Sequence, residues 1–594
     1  MRENVRRFPI GRASKVSGVH AGQRHLNGPQ TTGRSYTNLS EPRHRMRRDD
    51  DVAVTMRDGA NLLADVYRPD DDQRFPALVS ASPYPRQIQD LGAPMGFIEA
   101  GASDFFVPRG YVHVVANVRG TGGSDGTFGF FDRQERQDMH DLVEWTAAQP
   151  WCDGNVGMIG ISYFAMSQLE AAVERPDHLK AIFPLAVSPD LFEAARHHGL
   201  LCASFVSPFL TMIGIAAGHG DAFYRGHLLD AVRHVLALPH IHEKFATMNG
   251  EASLTLMKEA MKLHYEPHPW DDLWEAVAVD HQRRDDWWDE RNLLPLLDQV
   301  DIPVYLGCDW QNVPLHLPGT FSTLDALSGS PDVRVGMLGE FGLTWPWESL
   351  HIEALAWYDH WLKGADTGIL DGPPIRYWLP GADEWRTATE WPPAESATIE
   401  LALRADGVLG SDEGEAGSRS YVCTGPGLDH RAPRTTDPPS ALTWDTEPLD
   451  VDLDVVGNLE LRLSARATAI DTAWIVLLLD IAPDGTAETI TQGWLQASLR
   501  TVDRDASAMG SPTLDCRTPS ALPLDEVVEY RVPLVPNARR FTARHRIRVI
   551  VCSDDQADEV PVIMGFRHAP AGTTSRNTIH SSSRLVLSML PRGV

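Results

Sequence analysis

The stretch Gly157-Met158-Ile159-Gly160-Ile161-Ser162-Tyr163-Phe164-Ala165 constrains this chain more than any other. An apolar run with strand character enters it, and a helical pattern from Met166 to Glu174 leaves it. A serine at so sharp a strand-to-helix turn is thrust out of the sheet. The next backbone N–H and the helix N-terminus then face any negative charge that develops beside it. The usual spacing of such an elbow is G-x-S-x-G. Gly160 supplies the first glycine, but Phe164 stands at the fifth position. The short motif therefore needs support from the rest of the chain.

That support comes from element order. Asp51 to Pro69 reads as a β-hairpin, because Asp58-Gly59 separates two apolar runs. Pro76 to Ala81 and Tyr111 to Asn117 read as short buried parallel strands. Arg133 to Gln149 has helical spacing, and Val156 to Ile161 is the strand before Ser162. Strands resume at Pro303 to Gly307 and Val333 to Leu338, and a helix from Glu348 to Lys363 follows. Alternating strands and helices predict a parallel sheet with loops for chemistry at the carboxyl ends of its strands. With a serine at the elbow, this is an α/β-hydrolase pattern. Residues 189–298 break it with a mostly helical stretch, expected to cap the site. From about Pro374 the chain turns to alternating apolar and polar runs, such as Ala397 to Leu403 and Trp474 to Leu479. These predict a β-sandwich.

The expected organisation is a basic, disordered arm over 1–48, an α/β-hydrolase domain over 49–188 and 299–368, a helical cap over 189–298, and a β-sandwich over 369–594. The arm holds ten Arg and one Lys against two Glu. Arg6-Arg7 lacks a following apolar segment, which argues against an export signal. The formal charge of −28 argues against nucleic acid as a partner. No apolar run reaches membrane-spanning length. The six cysteines, at 152, 202, 308, 423, 516 and 552, show no paired spacing. They read as buried thiols in a reducing, cytoplasmic setting, with no zinc site and no cofactor. Oligomeric state is left open.

Motifs spread along the chain resemble the cocaine-esterase-like and X-prolyl dipeptidyl-peptidase-like (CocE/NonD) acyl hydrolases. They include Met56-Arg57-Asp58-Gly59, Asp65-Val66-Tyr67-Arg68-Pro69 and Arg119-Gly120-Thr121-Gly122-Gly123-Ser124. Gly160-Ile161-Ser162-Tyr163, Tyr358-Asp359-His360-Trp361-Leu362-Lys363-Gly364 and Gly493-Trp494-Leu495-Gln496-Ala497-Ser498 also fit. The resemblance covers roughly 49 to 594 and implies a hydrolase domain, a helical cap and a jelly-roll. It also implies Tyr after the nucleophile, so position 164 need not be Gly.

Ser162 is the candidate nucleophile, and the backbone N–H of Tyr163 is one oxyanion donor. The resemblance implies the Tyr84 phenol as the second. It further implies an Asp and a His, and here the chain departs. Asn312 stands at the acid position, three residues after Asp309, and Leu343 stands where His is expected. Asn can orient a histidine but cannot stabilise an imidazolium by charge. His316 ranks first as a substitute base. His351, on an inward helical stripe, ranks second, followed by no intact base; Glu340 would need a raised pKa. Arg119 reads as fixing a loop under the site, and Asp138 as solvated. Two functions follow. One is a serine hydrolase or acyltransferase acting on a small ester or amide through acyl-Ser162. The other is an impaired homologue kept as a binding or scaffold protein.

Overall fold

A computed structural model describes residues 26–90, 97–218, 270–340, 342–344, 346–423, 439–556, 560–571 and 574–591. Most of the expected cap, and the first part of the expected arm, lie outside the described residues.

Ten strands form the first sheet. They are β1 Met46–Thr55, β2 Asn61–Pro69, β3 Phe75–Ser82, β4 Val112–Asn117, β5 Cys152–Ile161, β6 Leu179–Leu185, β7 Val304–Asp309, β8 Val333–Leu338, β9 Ile375–Leu379 and β10 Glu384–Ala388. Their spatial order is β1-β2-β4-β3-β5-β6-β7-β8-β9-β10. The run from β4 to β9 is parallel, with antiparallel strands at both edges. Strands β3 and β4 are buried at every residue, as expected of a parallel sheet covered on both faces.

Helices α1 Arg133–Ala147, α2 Tyr163–Glu174, α3 Ala203–Gly218, α4 Leu317–Ala326 and α5 His351–Lys363 accompany this sheet. Asp132 caps α1 by accepting from the Glu135 N–H at 2.9 Å. Gly364 ends α5 in the left-handed region, φ 68°. In this fold Arg119 grips buried Asp138 of α1 through two hydrogen bonds of 2.7 and 2.6 Å. The loop after β4 is thereby fixed as expected, but Asp138 is not solvated.

Two expectations shift. Residues from 26 onward are not a disordered arm. Thr32 donates through N–H and hydroxyl to buried Glu353, both at 2.9 Å, and Ser40 reaches buried Asp359 twice at 2.6 Å. Short polar side chains here satisfy carboxylates of α5, which composition alone hides. The sandwich also begins later than 369. β9 pairs in parallel with β8 and β10 with β9, so both complete the first sheet. Their alternating polarity reflects an edge position, where one face is wet.

The second unit holds an eleven-stranded sheet, in which Leu453–Ala467 and Val528–Phe541 form the longest antiparallel pair. Trp474, Leu477 and Val549 fill its interior at zero exposure. This is the β-sandwich that alternation predicts. Among the described residues no helix is long and apolar enough to cross a membrane.

Candidate active site

Most of the residues under consideration lie at or just beyond the carboxyl end of a parallel strand. His351 lies on α5, whereas Tyr84 follows β3, Ser162 follows β5, Ser188 follows β6, Asp309 ends β7 with Asn312 and His316 after it, and Leu343 follows β8. That is where the parallel run places its loops for chemistry.

Ser162 adopts φ 57°, ψ −119°, a region that costs a non-glycine residue about 1–3 kcal/mol. Its N–H donates to the Leu185 carbonyl at 3.1 Å, and the Ile161 N–H to that of Glu99 at 3.1 Å. These bonds hold the turn in its strained form. Gly160 lies at φ 135°, and a Cβ there would meet the Phe164 Cβ at 2.3 Å. Close packing at the turn thus falls on Gly160, and Phe164 fills the space beside it.

Tyr163 opens α2, so its N–H has no intrahelical acceptor. Its phenol donates to Glu135 Oε1 at 2.6 Å, and its ring stacks on Phe131 at 4.1 Å. Burial raises the Glu135 carboxyl to about 8. The Tyr84 side chain shares a hydrogen bond with Ser162. Burial, reinforced by Glu99, holds that phenol well above its usual pKa, so it remains a neutral donor. Phe97, Tyr163 and Phe164 fix its ring, at 4.5, 5.9 and 6.0 Å.

Ser162, Tyr84 and His316 line one cavity, walled by apolar side chains including Phe130, Phe205, Phe209 and Leu210. His316 is the one histidine among its described lining residues. Its Nδ1 lies 3.0 Å from Ser188 Oγ, which itself donates to the Leu315 carbonyl at 2.9 Å. A hydroxyl has one proton. With that proton on Leu315, Ser188 accepts from His316 Nδ1–H, which leaves Nε2 as the lone-pair nitrogen. Burial lowers His316 to about 3, so the ring is neutral at ordinary pH.

The other candidates are placed elsewhere. Asn312 donates to Asp309 Oδ1 from its side chain at 2.8 Å and from its N–H at 3.2 Å. Asp309 Oδ2 accepts the Leu343 N–H at 3.2 Å. Positions 309, 312 and 343 thus form a closed buried knot. The turn aims the Asn312 amide back at Asp309, and among the described residues no hydrogen bond joins its side chain to His316. His351 is inward-facing as expected, yet both ring nitrogens are engaged. Nε2 accepts the Ala102 N–H at 3.0 Å and Nδ1 donates to the Ser349 carbonyl at 3.1 Å. Glu340 does sit high, near 7, chiefly through its hydrogen bond to Glu488. It lines a separate cavity beside Glu488 and Arg539, away from Ser162. Ser188 escaped the sequence reading; its signal was its place directly after the strand that follows the elbow.

The X-Pro dipeptidyl-peptidase (S15 family) profile matches residues 58–340, and the X-Pro dipeptidyl-peptidase C-terminal non-catalytic domain matches residues 367–582. A cocaine esterase from Rhodococcus sp. is 26% identical over 91% of this chain and 98% of its own. The chain is thus similar in sequence to X-Pro dipeptidyl-peptidases and a cocaine esterase, and in fold to CocE/NonD hydrolases. These likenesses support an ester or amide hydrolase. Solved structures agree on the fold. A CocE/NonD family hydrolase from Staphylococcus aureus superposes with a TM-score of 0.72 at 22% identity, covering 92% of this chain and 94% of that one. An aminopeptidase from a Thaumarchaeota archaeon gives 0.68 at 20% identity, covering 97% and 100%.

Proposed function

We propose that the chain is a serine hydrolase that cleaves a small ester through an acyl-Ser162 intermediate. Ser162 Oγ attacks the acyl carbon while its proton passes to His316 Nε2. The Tyr163 N–H and Tyr84 O–H hold the tetrahedral oxyanion. His316 then returns the proton to the departing alkoxide, and the alcohol leaves. Water repeats the sequence on the acyl-enzyme: His316 takes its proton, hydroxide adds to the carbonyl, and Ser162 leaves reprotonated.

The observation that carries this reading is that Ser162, Ser188 and His316 line one cavity, with Ser188 Oγ 3.0 Å from His316 Nδ1. With the Ser188 proton given to the Leu315 carbonyl, Nδ1 is the protonated nitrogen and Nε2 carries the lone pair that a general base needs. Ser188 thereby takes the place of the acid as a neutral positioning residue. A neutral partner cannot offset the charge of an imidazolium. Turnover is therefore expected to be slow, since loss of the charged acid costs about 10⁴ in kcat in a serine protease triad.

The apolar lining favours an ester with an uncharged acyl group. X-Pro cleavage would call for an anion to receive the substrate amine, and no carboxylate is among the described lining residues. The six free, buried cysteines fit a reducing, cytoplasmic setting.

The test is hydrolysis of p-nitrophenyl acetate, butyrate and hexanoate by the wild type, Ser162→Ala and His316→Gln. Wild-type turnover lost in both variants supports the proposal. No wild-type turnover above buffer, in folded protein, would favour the binding or scaffold role.

A further inference from the structure

Behind the wall of this pocket three distant segments converge. His197 follows the short helix Leu191–Ala195, Cys202 immediately precedes α3, and His568 comes from a loop of the β-sandwich. All three side chains are buried, and their ligating atoms lie within 4.8 Å of one another. His197 Nδ1 and His568 Nε2 face each other at 2.7 Å. The two outward nitrogens are each held: His568 Nδ1 lies 2.7 Å from the Asp555 carboxylate, and His197 Nε2 lies 2.6 Å from the Pro314 carbonyl. Trp494 stacks on the His197 ring at 4.2 Å.

We propose that His197, Cys202 and His568 bind a divalent transition-metal ion of the zinc class. Metal-ligating histidines almost always donate their second N–H to a carboxylate or carbonyl, which fixes the tautomer and aims the free lone pair at the ion. Both histidines have such a partner, Asp555 for one and Pro314 for the other. Cys202 immediately precedes α3 and is fully buried, with its sulfur beside the two rings. One thiolate and two imidazoles are a donor set that suits zinc.

Bond lengths of about 2.0–2.1 Å to nitrogen and 2.3 Å to sulfur require the two nitrogens to open to about 3.3 Å.

Such an ion would fasten the start of the cap, the loop leading to His316 and the β-sandwich to one point. Pro314 stands two residues before His316, so the ion would brace the loop that carries the base. Cysteine spacing hides the site because its ligands are far apart in sequence.

The full-length protein is stripped with a chelator, dialysed against Zn²⁺ or Co²⁺, and its metal content counted. One tightly held equivalent is expected, with a sulfur-to-cobalt charge-transfer band. Cys202→Ser should lose the band, and Asp555→Asn should bind about 10–100-fold more weakly. X-ray absorption on the zinc-loaded wild type needs no variant. It should report one sulfur and two imidazole nitrogens. Less than a tenth of an equivalent bound, a band that survives Cys202→Ser, or a zinc shell without sulfur would each overturn the site.

Discussion

His316 Nδ1 and Ser188 Oγ stand 3.0 Å apart, and the proton of Ser188 is already committed to the Leu315 carbonyl 2.9 Å away. A hydroxyl in that state can only accept from the ring. The pair sets the imidazole's tautomer without a charge, which distinguishes it from an Asp–His pair.

Replacing that acceptor should be felt in kcat. Ser188→Ala leaves Nδ1–H without a partner and lets the ring turn or change tautomer. We expect kcat on a p-nitrophenyl ester to fall about 10–100-fold, less than the 10²–10⁴ that a general base itself contributes, with little change in KM. Ser188→Thr keeps the hydroxyl and should retain most of the activity. Equal rates for wild type and Ser188→Ala would remove Ser188 from the mechanism.

The pH profile follows from burial. His316 is lowered from 6.5 to about 3. A base works in its neutral form, and His316 stays neutral until pH approaches that value. The kcat/KM profile should therefore lack the acid limb near pH 6–7 that an unperturbed histidine gives, and stay flat down to about pH 4. The same shift makes protonation of the unfolded chain below pH 6.5 oppose folding, so stability from this group is present above 6.5 and lost as pH falls toward 3. An acid limb at pH 6–7 in the wild-type profile would contradict this account.

Tyr84 supplies one of two oxyanion donors in this scheme. Tyr84→Phe keeps the ring against Phe97, Tyr163 and Phe164 and removes the hydroxyl. Loss of one donor typically costs about 3 kcal/mol in the transition state, or 10²–10³ in kcat. Near-wild-type kcat in a folded Tyr84→Phe protein would exclude the phenol from the site.

Gly160 tests the elbow's packing. At φ 135° and with a Cβ destined to lie 2.3 Å from the Phe164 Cβ, Gly160→Ala combines backbone strain with overpacking. We expect a loss of about 2–4 kcal/mol in urea unfolding. Phe164→Ala should not rescue it, because the clashing atom is retained.

Much of the fold was legible in the sequence. Asp58-Gly59 between apolar runs announces the first hairpin, and the apolar runs at 76–81, 111–117 and 156–161 are buried parallel strands. Where reading stopped short, the reason is tertiary. β9 and β10 alternate like sandwich strands because they lie at a sheet edge. Thr32 and Ser40 look like linker residues until Glu353 and Asp359 are seen to need donors. The site shows the same division. Ser162 announces itself through the turn it occupies. His316 ranks only narrowly ahead of His351 and Glu340 in the sequence; the fold puts His316 in the pocket and gives the others partners elsewhere. No spacing rule links Ser188 to His316, since they meet only when the loops after β6 and β7 come together.

Whether Ser162 is an activated nucleophile is the central claim, and covalent labelling measures it most directly. Folded wild-type protein is incubated with a fluorophosphonate and read by intact mass and peptide mapping. One adduct per chain on Ser162, formed far more slowly in His316→Gln, is the predicted result. An unmodified wild-type protein at high reagent concentration, or an adduct rate indifferent to His316, would contradict it.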